Sequence, residues 1–148
     1  MKNKKNLCGS CDKCCTHFRI DKKFLSWRKT DKEKGETCDK LVNGRCARYK
    51  QRPKPCKDFE CGWLQFSKQG IAKTEWSPDK IGFIVKLGYT DGRSAFMIEE
   101  LEQGSLDFHN ITPEQDEFLK LLFDLRENSN SLLLIRPFGH DKQYPLRH

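Results

Sequence analysis

The sequence is organised around four thiols within eight residues, in the stretch Cys8-Gly9-Ser10-Cys11-Asp12-Lys13-Cys14-Cys15. A Cys-x-x-Cys turn directs two sulfurs, and the backbone N–H groups between them, toward one point, which suits a soft cation or an inorganic cluster. Two such turns share Cys11, so three sulfurs can converge, whereas Cys15 must point elsewhere or serve a second centre. The stretch predicts a thiolate site for a metal ion or a metal cluster.

Four further cysteines extend this prediction: Cys38, Cys46, Cys56 and Cys61. The Asn43-Gly44 pair favours a tight hairpin that brings Cys38 and Cys46 together, as in a zinc-knuckle hairpin. Two prolines stiffen the arm before Cys56, which reduces the entropy lost when that residue binds a metal. No cysteine occurs after Cys61, so the predicted site belongs to the N-terminal part of the chain.

A helix is predicted over residues 57–69, with an aromatic face that packs in the core and Gly70 at its end. Cys56 and Cys61 would be separated by about 140° around such a helix. One of the two is therefore expected to precede the helix, or the turn between them is irregular.

The composition is that of a small domain whose apolar core is too small to stabilise it without a disulfide or a bound metal. The chain has 148 residues, of which 36% are hydrophobic and 33% charged, so a large apolar core is not expected. The basic start, Met1 to Leu7, lacks the apolar run of a secretory signal, and no stretch approaches the length of a membrane span. We therefore expect a cytoplasmic protein without a membrane partner, whose cysteines are reduced thiolates rather than disulfides.

The formal net charge of +7 raises the question of a nucleic-acid partner. Metal-bound thiolates would offset part of this charge, and the lysines and arginines are scattered rather than gathered in one stripe. Both considerations argue against nucleic acid as a partner. The predicted partner is a metal ion or cluster, and the sequence names no protein partner.

The C-terminal part carries conventional signals for strands and one helix. Strands are predicted over 81–89 and 94–101, joined by an Asp91-Gly92 hairpin turn. Thr112, followed by Pro113 and a capping glutamine, predicts a helix that runs to about residue 127. A buried strand over 132–135 is expected to close the sheet, after a weak strand following Gly104, and the tail beyond Gly139 is expected to be loose.

These elements predict an α+β fold in a single domain, residues 1–148. A cysteine-rich, metal-stapled lobe over 8–70 is expected to pack on a small antiparallel sheet with one main helix, over 77–138.

For the histidines and charged residues outside the cysteine set, the sequence predicts no catalytic or metal-binding role. We expect His17 to be a polar neighbour of the site or a surface residue, 29–34 to be a solvated loop, Glu99, Glu100 and Glu102 to form a solvated acidic patch, and His109 and His140 to be surface residues.

The order of these residues resembles the CxxCxxCC cysteine-cluster proteins, the YkgJ-type family described as a zinc- or iron-chelating domain. The resemblance covers residues 8–87 and includes, beside the cysteines, the segments Arg52-Pro53-Lys54-Pro55-Cys56, Phe59-Glu60-Cys61-Gly62-Trp63-Leu64 and Pro78-Asp79-Lys80-Ile81-Gly82-Phe83-Ile84-Val85. It implies a chelating set made of Cys8, Cys11, Cys14, Cys15, Cys38, Cys46, Cys56 and Cys61. The metal, and whether there is one centre or two, stay open.

We therefore expect a metal-binding protein that chelates zinc or iron, the latter also as an iron–sulfur cluster. Two zinc sites of four cysteines would use all eight sulfurs, whereas one cluster would use four. The alternatives are a redox or group-transfer enzyme that uses an iron–sulfur cluster, and a zinc-dependent adaptor for nucleic acid or protein. No phosphate loop, nucleotide fingerprint or Ser-His-Asp order occurs, so no catalytic residue is assigned.

Overall fold

The computed structural model describes residues 13–43, 45–47 and 49–146. It divides the chain into two units, Met1–Glu60 and Cys61–His148. The cysteine-rich part was expected to extend to residue 70, whereas this division places Cys61 and the helix after it in the second unit. The two units are described separately below.

The first unit is built from short elements. They are α1 (Lys13–His17), a 3-10 turn (Lys22–Phe24), β1 (Leu41–Val42), β2 (Arg45–Cys46), a second 3-10 turn (Tyr49–Gln51) and α2 (Lys54–Asp58). Strands β1 and β2 form the antiparallel hairpin that the sequence predicts around residue 43. Among the described residues of this unit, Ile20 and Leu25 are the only buried apolar side chains.

The second unit contains a four-stranded sheet and one long helix, in agreement with the expected α+β class. Its elements are α3 (Gly62–Lys68), a 3-10 turn (Thr74–Trp76), α4 (Pro78–Ile81), β3 (Phe83–Thr90), β4 (Arg93–Glu100), α5 (Pro113–Ser129), β5 (Leu132–Arg136) and β6 (Tyr144–Pro145). The strand order is β3-β4-β5-β6. The core lies around Phe118 of α5, whose ring stacks on Trp76 at 5.1 Å and on Phe83 at 5.8 Å between centroids.

The expectation of an antiparallel sheet is wrong for one pair of strands. Strand β4 pairs with β5 in parallel, while β3–β4 and β5–β6 are antiparallel. The physical reason is the connection between β4 and β5, which contains α5. A long crossover of this kind returns the chain to the end of the sheet from which β4 started, so the next strand runs in the same direction.

Local signals in the second unit are confirmed. Asp91 and Gly92 have φ angles of 52° and 77°, as a tight two-residue hairpin turn requires. The Thr112 hydroxyl accepts a hydrogen bond from Gln115 N, and Gln115 Oε1 accepts one from Thr112 N, each at 3.1 Å. This reciprocal capping box, with Pro113 at the first helical position, begins α5.

Three local predictions are wrong. The helix predicted over 57–69 is two helices, α2 and α3, because Phe59 and Cys61 have extended backbone angles between them. The residues after Gly104 form turns rather than a weak strand. The tail beyond Gly139 was expected to be loose, yet it supplies β6, which pairs with β5.

Two glutamates expected in a solvated patch are buried in the second unit. Glu99 is 1% exposed, and its carboxylate pairs with Lys86 Nζ at 3.0 Å and with Arg136 at 3.3 Å. Glu100, 9% exposed, accepts hydrogen bonds from the backbone N–H groups of Leu106 and Phe138, both at 3.0 Å. These partners offset the cost of removing the carboxylates from water.

Candidate metal centre

Six of the eight predicted ligands lie in described parts of the chain. Cys14 and Cys15 belong to α1, Cys38 precedes β1, Cys46 lies in β2, Cys56 lies in α2, and Cys61 is the N-cap of α3 in the second unit. Cys8 and Cys11 lie outside the described residues. Cys38, Cys46, Cys56 and Cys61 are free thiols, so none of these four is in a disulfide.

The hairpin places Cys38 and Cys46 near each other. The Cys38 carbonyl accepts a hydrogen bond from Leu41 N at 3.1 Å, and Leu41 is the strand partner of Cys46. The turn is made by Asn43 with a φ of 50°, a left-handed conformation that asparagine tolerates. The tight turn predicted from the sequence thus brings the two cysteines to the same end of the hairpin.

Cys56 belongs to the same cluster. Burial raises the pKa of the Cys56 thiol, and the charges of Cys38 and Cys46 raise this pKa further. Two cations, Arg52 and Lys32, lower the pKa of the Cys56 thiol, but by less than burial raises it. Cys38 and Cys46 therefore lie within electrostatic range of Cys56, and we call these three thiols of the first unit the thiol cluster.

The segment that carries Cys38 is held by Arg28, a residue that sequence reasoning did not single out. The guanidinium donates to Glu36 at 2.9 Å and to both carboxylate oxygens of Asp39 at 3.4 Å, and these residues flank Cys38. Its second terminal nitrogen donates to the Asp31 carbonyl at 3.1 Å. Backbone hydrogen bonding and Arg28 together hold the pKa of Glu36 below its usual value, so this anchor stays charged at neutral pH.

The loop over 29–34 is not wholly solvated as predicted, because Lys32 is 1% exposed. Its backbone exchanges two hydrogen bonds of 2.9 Å with Ile20, and its ammonium donates to the Phe18 carbonyl at 2.5 Å. The mixture of acidic and basic residues over 29–34 did not indicate that one of its lysines would be buried. The pairing with Ile20, which is distant in sequence, is what draws this residue inward.

His17, the last residue of α1, is buried rather than at the surface, with 5% exposure. Its ring meets the Phe18 ring edge-on at 4.9 Å, and Phe18 meets Phe59 in the same way at 4.9 Å. His17 O also accepts a hydrogen bond from Gly35 N at 3.1 Å. These contacts join α1, the loop and the segment after α2 within the first unit.

In the part of the chain that the structure describes, no group of three or more His, Cys, Asp or Glu side chains is arranged to hold a metal ion. The thiol cluster brings three predicted ligands into one neighbourhood without completing a coordination shell. His109 and His140 are exposed, as expected for surface residues.

The chain matches no protein-family model, no curated protein and no solved structure at a significant level. Within the described ranges, no helix combines the length and apolar character needed to cross a bilayer.

Proposed function

We propose that this protein is a metal-binding module that holds zinc or iron, the latter also as an iron–sulfur cluster, through thiolates of its cysteine-rich part. The observation that carries the proposal is the thiol cluster: the hairpin brings Cys38 and Cys46 to one end, and their charges raise the pKa of the Cys56 thiol. Gathering partly buried thiols is unfavourable once they ionise, because each thiolate repels the others. A bound cation would reverse the sign of that interaction.

The small apolar content of the first unit supports the same proposal. Only Ile20 and Leu25 are buried apolar side chains among its described residues, which is little for a stable fold of this length. Small domains with such limited cores are commonly stabilised by disulfides or a structural metal. The cysteines Cys38, Cys46 and Cys56 are not in disulfides, which favours the metal.

The donor chemistry fits zinc and iron–sulfur clusters, since both take cysteine thiolates in sets of four. Cys38, Cys46 and Cys56 would supply three ligands of one centre. The remaining ligand would come from the other cysteines of the predicted set that belong to the first unit, Cys8, Cys11, Cys14 or Cys15. When bound, a four-thiolate metal supplies folding free energy, and an iron–sulfur cluster would also supply a redox centre. A reducing compartment such as the cytoplasm would keep these thiols available.

Elemental analysis and a visible spectrum of the full chain, purified without oxygen, test this proposal. We expect zinc without colour, or iron with matching sulfide and an absorption that bleaches under dithionite. Protein that contains neither metal, and that gains no metal when it is reduced and given zinc or reconstituted with iron and sulfide, would contradict the proposal.

The variant Cys46→Ser tests whether the cluster is where the metal binds. We expect it to lose the metal of one centre, because a neutral hydroxyl is a far poorer ligand for zinc or iron than a thiolate. Val42→Ser is the matched control, since Val42 lies in the same hairpin, is 53% exposed and carries no thiol. The control should retain the metal content of the unchanged protein.

A further inference from the structure

Positive charge is concentrated in the first unit of the chain. Residues 1–60 contain 18 lysines and arginines and 8 aspartates and glutamates, a formal balance of +10, whereas residues 61–148 contain 10 and 13, a balance of −3. Two zinc ions held by eight thiolates would carry a charge of about −4, so a metal-loaded first unit would keep about +6. Such an asymmetry between two parts of one chain is typical of a protein that binds a polyanion.

Part of this charge is gathered, together with two aromatic rings, on one compact stretch of the first unit. Lys22 N donates to Asp31 Oδ1 at 2.8 Å, which folds residues 22–31 back on themselves. Trp27 Nε1 donates to Asp39 Oδ2 at 3.2 Å, which attaches the segment before β1 to the same stretch. We call the side chains that these contacts bring together the basic-aromatic surface: Lys22, Lys23, Phe24, Trp27, Lys29 and Lys40.

The carboxylates around the basic-aromatic surface form ion pairs with arginines. Arg19 pairs with Asp31 at 2.6 Å. Arg28 pairs with Glu36 at 2.9 Å and with Asp39 at 3.4 Å. Three lysines of the surface are exposed to solvent: Lys22, Lys23 and Lys29. The ammonium groups of these lysines are therefore accessible to a negatively charged partner.

The two aromatic rings of the surface, Phe24 and Trp27, are both part-exposed. Lys23 Nζ lies 5.1 Å from the centroid of the Phe24 ring, and Lys40 Nζ lies 5.4 Å from that of Trp27. Lysine side chains are long and flexible, so each ammonium can turn to a phosphate and leave its ring face to a base. Lysines that follow the phosphates and rings that stack on unpaired bases are the two features of single-strand binding.

An anionic membrane fits this surface less well. Among the described residues of the first unit, Val42 is the only exposed large apolar side chain. The helices α1 and α2 have five residues each. Binding in the plane of a membrane requires an apolar helix face of several turns, or apolar side chains that enter the lipid. The aromatic rings beside lysines therefore favour nucleic acid over lipid.

We propose that the basic-aromatic surface binds single-stranded nucleic acid, RNA or DNA, through its phosphates and bases. This inference goes beyond the metal-binding function, because the metal would stabilise the first unit while the surface would recognise a partner. The contacts that gather the surface join residues 9 and 12 positions apart in the chain. For this reason its lysines look scattered in the sequence.

The test is the affinity of the full chain, purified without oxygen, for fluorescein-labelled oligo(U) and oligo(dT) of about 20 nucleotides, measured by fluorescence anisotropy. The triple variant Lys22→Gln, Lys23→Gln, Lys29→Gln should bind at least about tenfold more weakly. Its salt dependence should be shallower by about 2 in the slope of log K against log salt, since each phosphate contact contributes about 0.7. The matched control removes three exposed lysines of the second unit: Lys68→Gln, Lys80→Gln, Lys142→Gln. It should stay within about threefold of the unchanged protein.

Two variants of Trp27 separate stacking from charge. Trp27→Leu should weaken binding of both oligonucleotides by about 5- to 50-fold, because a base loses its stacking partner. Trp27→Phe keeps an aromatic ring and should stay within about threefold. Both variants lose the hydrogen bond to Asp39, so a difference between them reports the ring alone. If Trp27→Leu fails to fold, as judged by circular dichroism, the triple lysine variant decides.

Several results would overturn the inference. One is the absence of binding to both oligonucleotides at low salt, and another is an equal loss in the two triple variants. Tighter binding to a duplex of the same length would contradict the choice of single strands. Binding to vesicles of phosphatidylcholine and phosphatidylserine, but to neither oligonucleotide, would assign the surface to a membrane. A chain that binds oligonucleotides but no metal would contradict the proposed function and leave this inference standing.

Discussion

Gly82 is the residue at which three segments of the second unit meet. It ends α4 with a φ of +79°, and its carbonyl accepts hydrogen bonds from Leu101 N at 3.0 Å and from Ser105 Oγ at 2.6 Å. A Cβ at this position would lie 2.7 Å from Ser105 Cβ. Glycine is therefore required both by the left-handed backbone and by the close approach of Ser105.

Replacing this glycine should destabilise the second unit. For Gly82→Ala we expect a loss of about 2 to 3 kcal/mol in the free energy of unfolding, from left-handed strain together with the contact to Ser105. Gly92→Ala is the control, because Gly92 has a φ of +77° and no atom within 4 Å of an added Cβ. It should lose only about 1 kcal/mol. Equal losses in urea unfolding of the two variants would show that the contact with Ser105 costs nothing.

At the scale of single residues, candidate metal-binding thiols could be selected from the sequence, whereas the burial of individual charged residues could not be predicted. Cysteine spacing carries its own chemical meaning, so Cys38, Cys46 and Cys56 could be selected as candidate ligands from the order of residues alone. Lys32 and Glu99 could not, because their burial depends on partners distant in sequence: Ile20 for the lysine, and Lys86 with Arg136 for the glutamate. A charged residue next to apolar neighbours has the same local pattern whether it faces water or an opposite charge.

Among the elements, α5 is specified most fully by its own residues. Its N-terminus satisfies two backbone N–H groups through the Thr112 and Gln115 side chains. The Gln115 side-chain amide also donates to the carbonyls of Ile81, at 2.7 Å, and Ser105, at 2.8 Å. The start of α5 is thus fixed both to its own first turn and to the segments before and after the β3–β4 hairpin.

Removing the cap should have a measurable effect. Thr112→Ala should lower the free energy of unfolding of the second unit by about 1 kcal/mol, because the Gln115 N–H loses its acceptor. Thr112→Ser keeps a hydroxyl at the same place and should retain most of that stability. Chemical denaturation followed by circular dichroism measures both. A loss in the serine variant as large as that in the alanine variant would mean that the hydroxyl is not the stabilising group.

The elements that sequence reasoning found are those with a local signature: the Asp91-Gly92 turn, the capping box and the apolar run of β5. It failed where pairing is decided at long range. Strand β5 follows a crossover helix and so runs parallel to β4. Strand β6 is only two residues long and is defined by its pairing with the free edge of β5. The direction of β5 and the pairing of β6 cannot be predicted from the residues of these two strands alone.

At the scale of the whole molecule, the two units differ in what can stabilise them. The second unit has a sheet, a long helix and most of the buried apolar side chains among the described residues, whereas the first has short elements and two such side chains. If metal supplies the missing stabilisation, its removal should affect the units unequally.

A chelator should therefore unfold the first unit selectively. After metal removal under reducing conditions, we expect backbone amides within residues 13–60 to lose protection from hydrogen exchange, while those of β3, β4 and α5 keep it. The variant Cys46→Ser should show the same pattern without a chelator. Equal protection of the first unit with and without metal would mean that it folds without the centre, and joint loss in both units would mean that the second depends on it.

The parallel pairing of β4 with β5 has a consequence for how the second unit assembles. Strands β3 and β4 are joined by a two-residue turn and can pair with little loss of chain entropy, whereas β5 returns only after the chain has passed through residues 101–131. We therefore expect the hairpin to form before β5 and β6 are added, because these strands pair only once α5 has brought the chain back. A chain in which β4 was not yet paired with β5 would expose a strand edge that another chain could join.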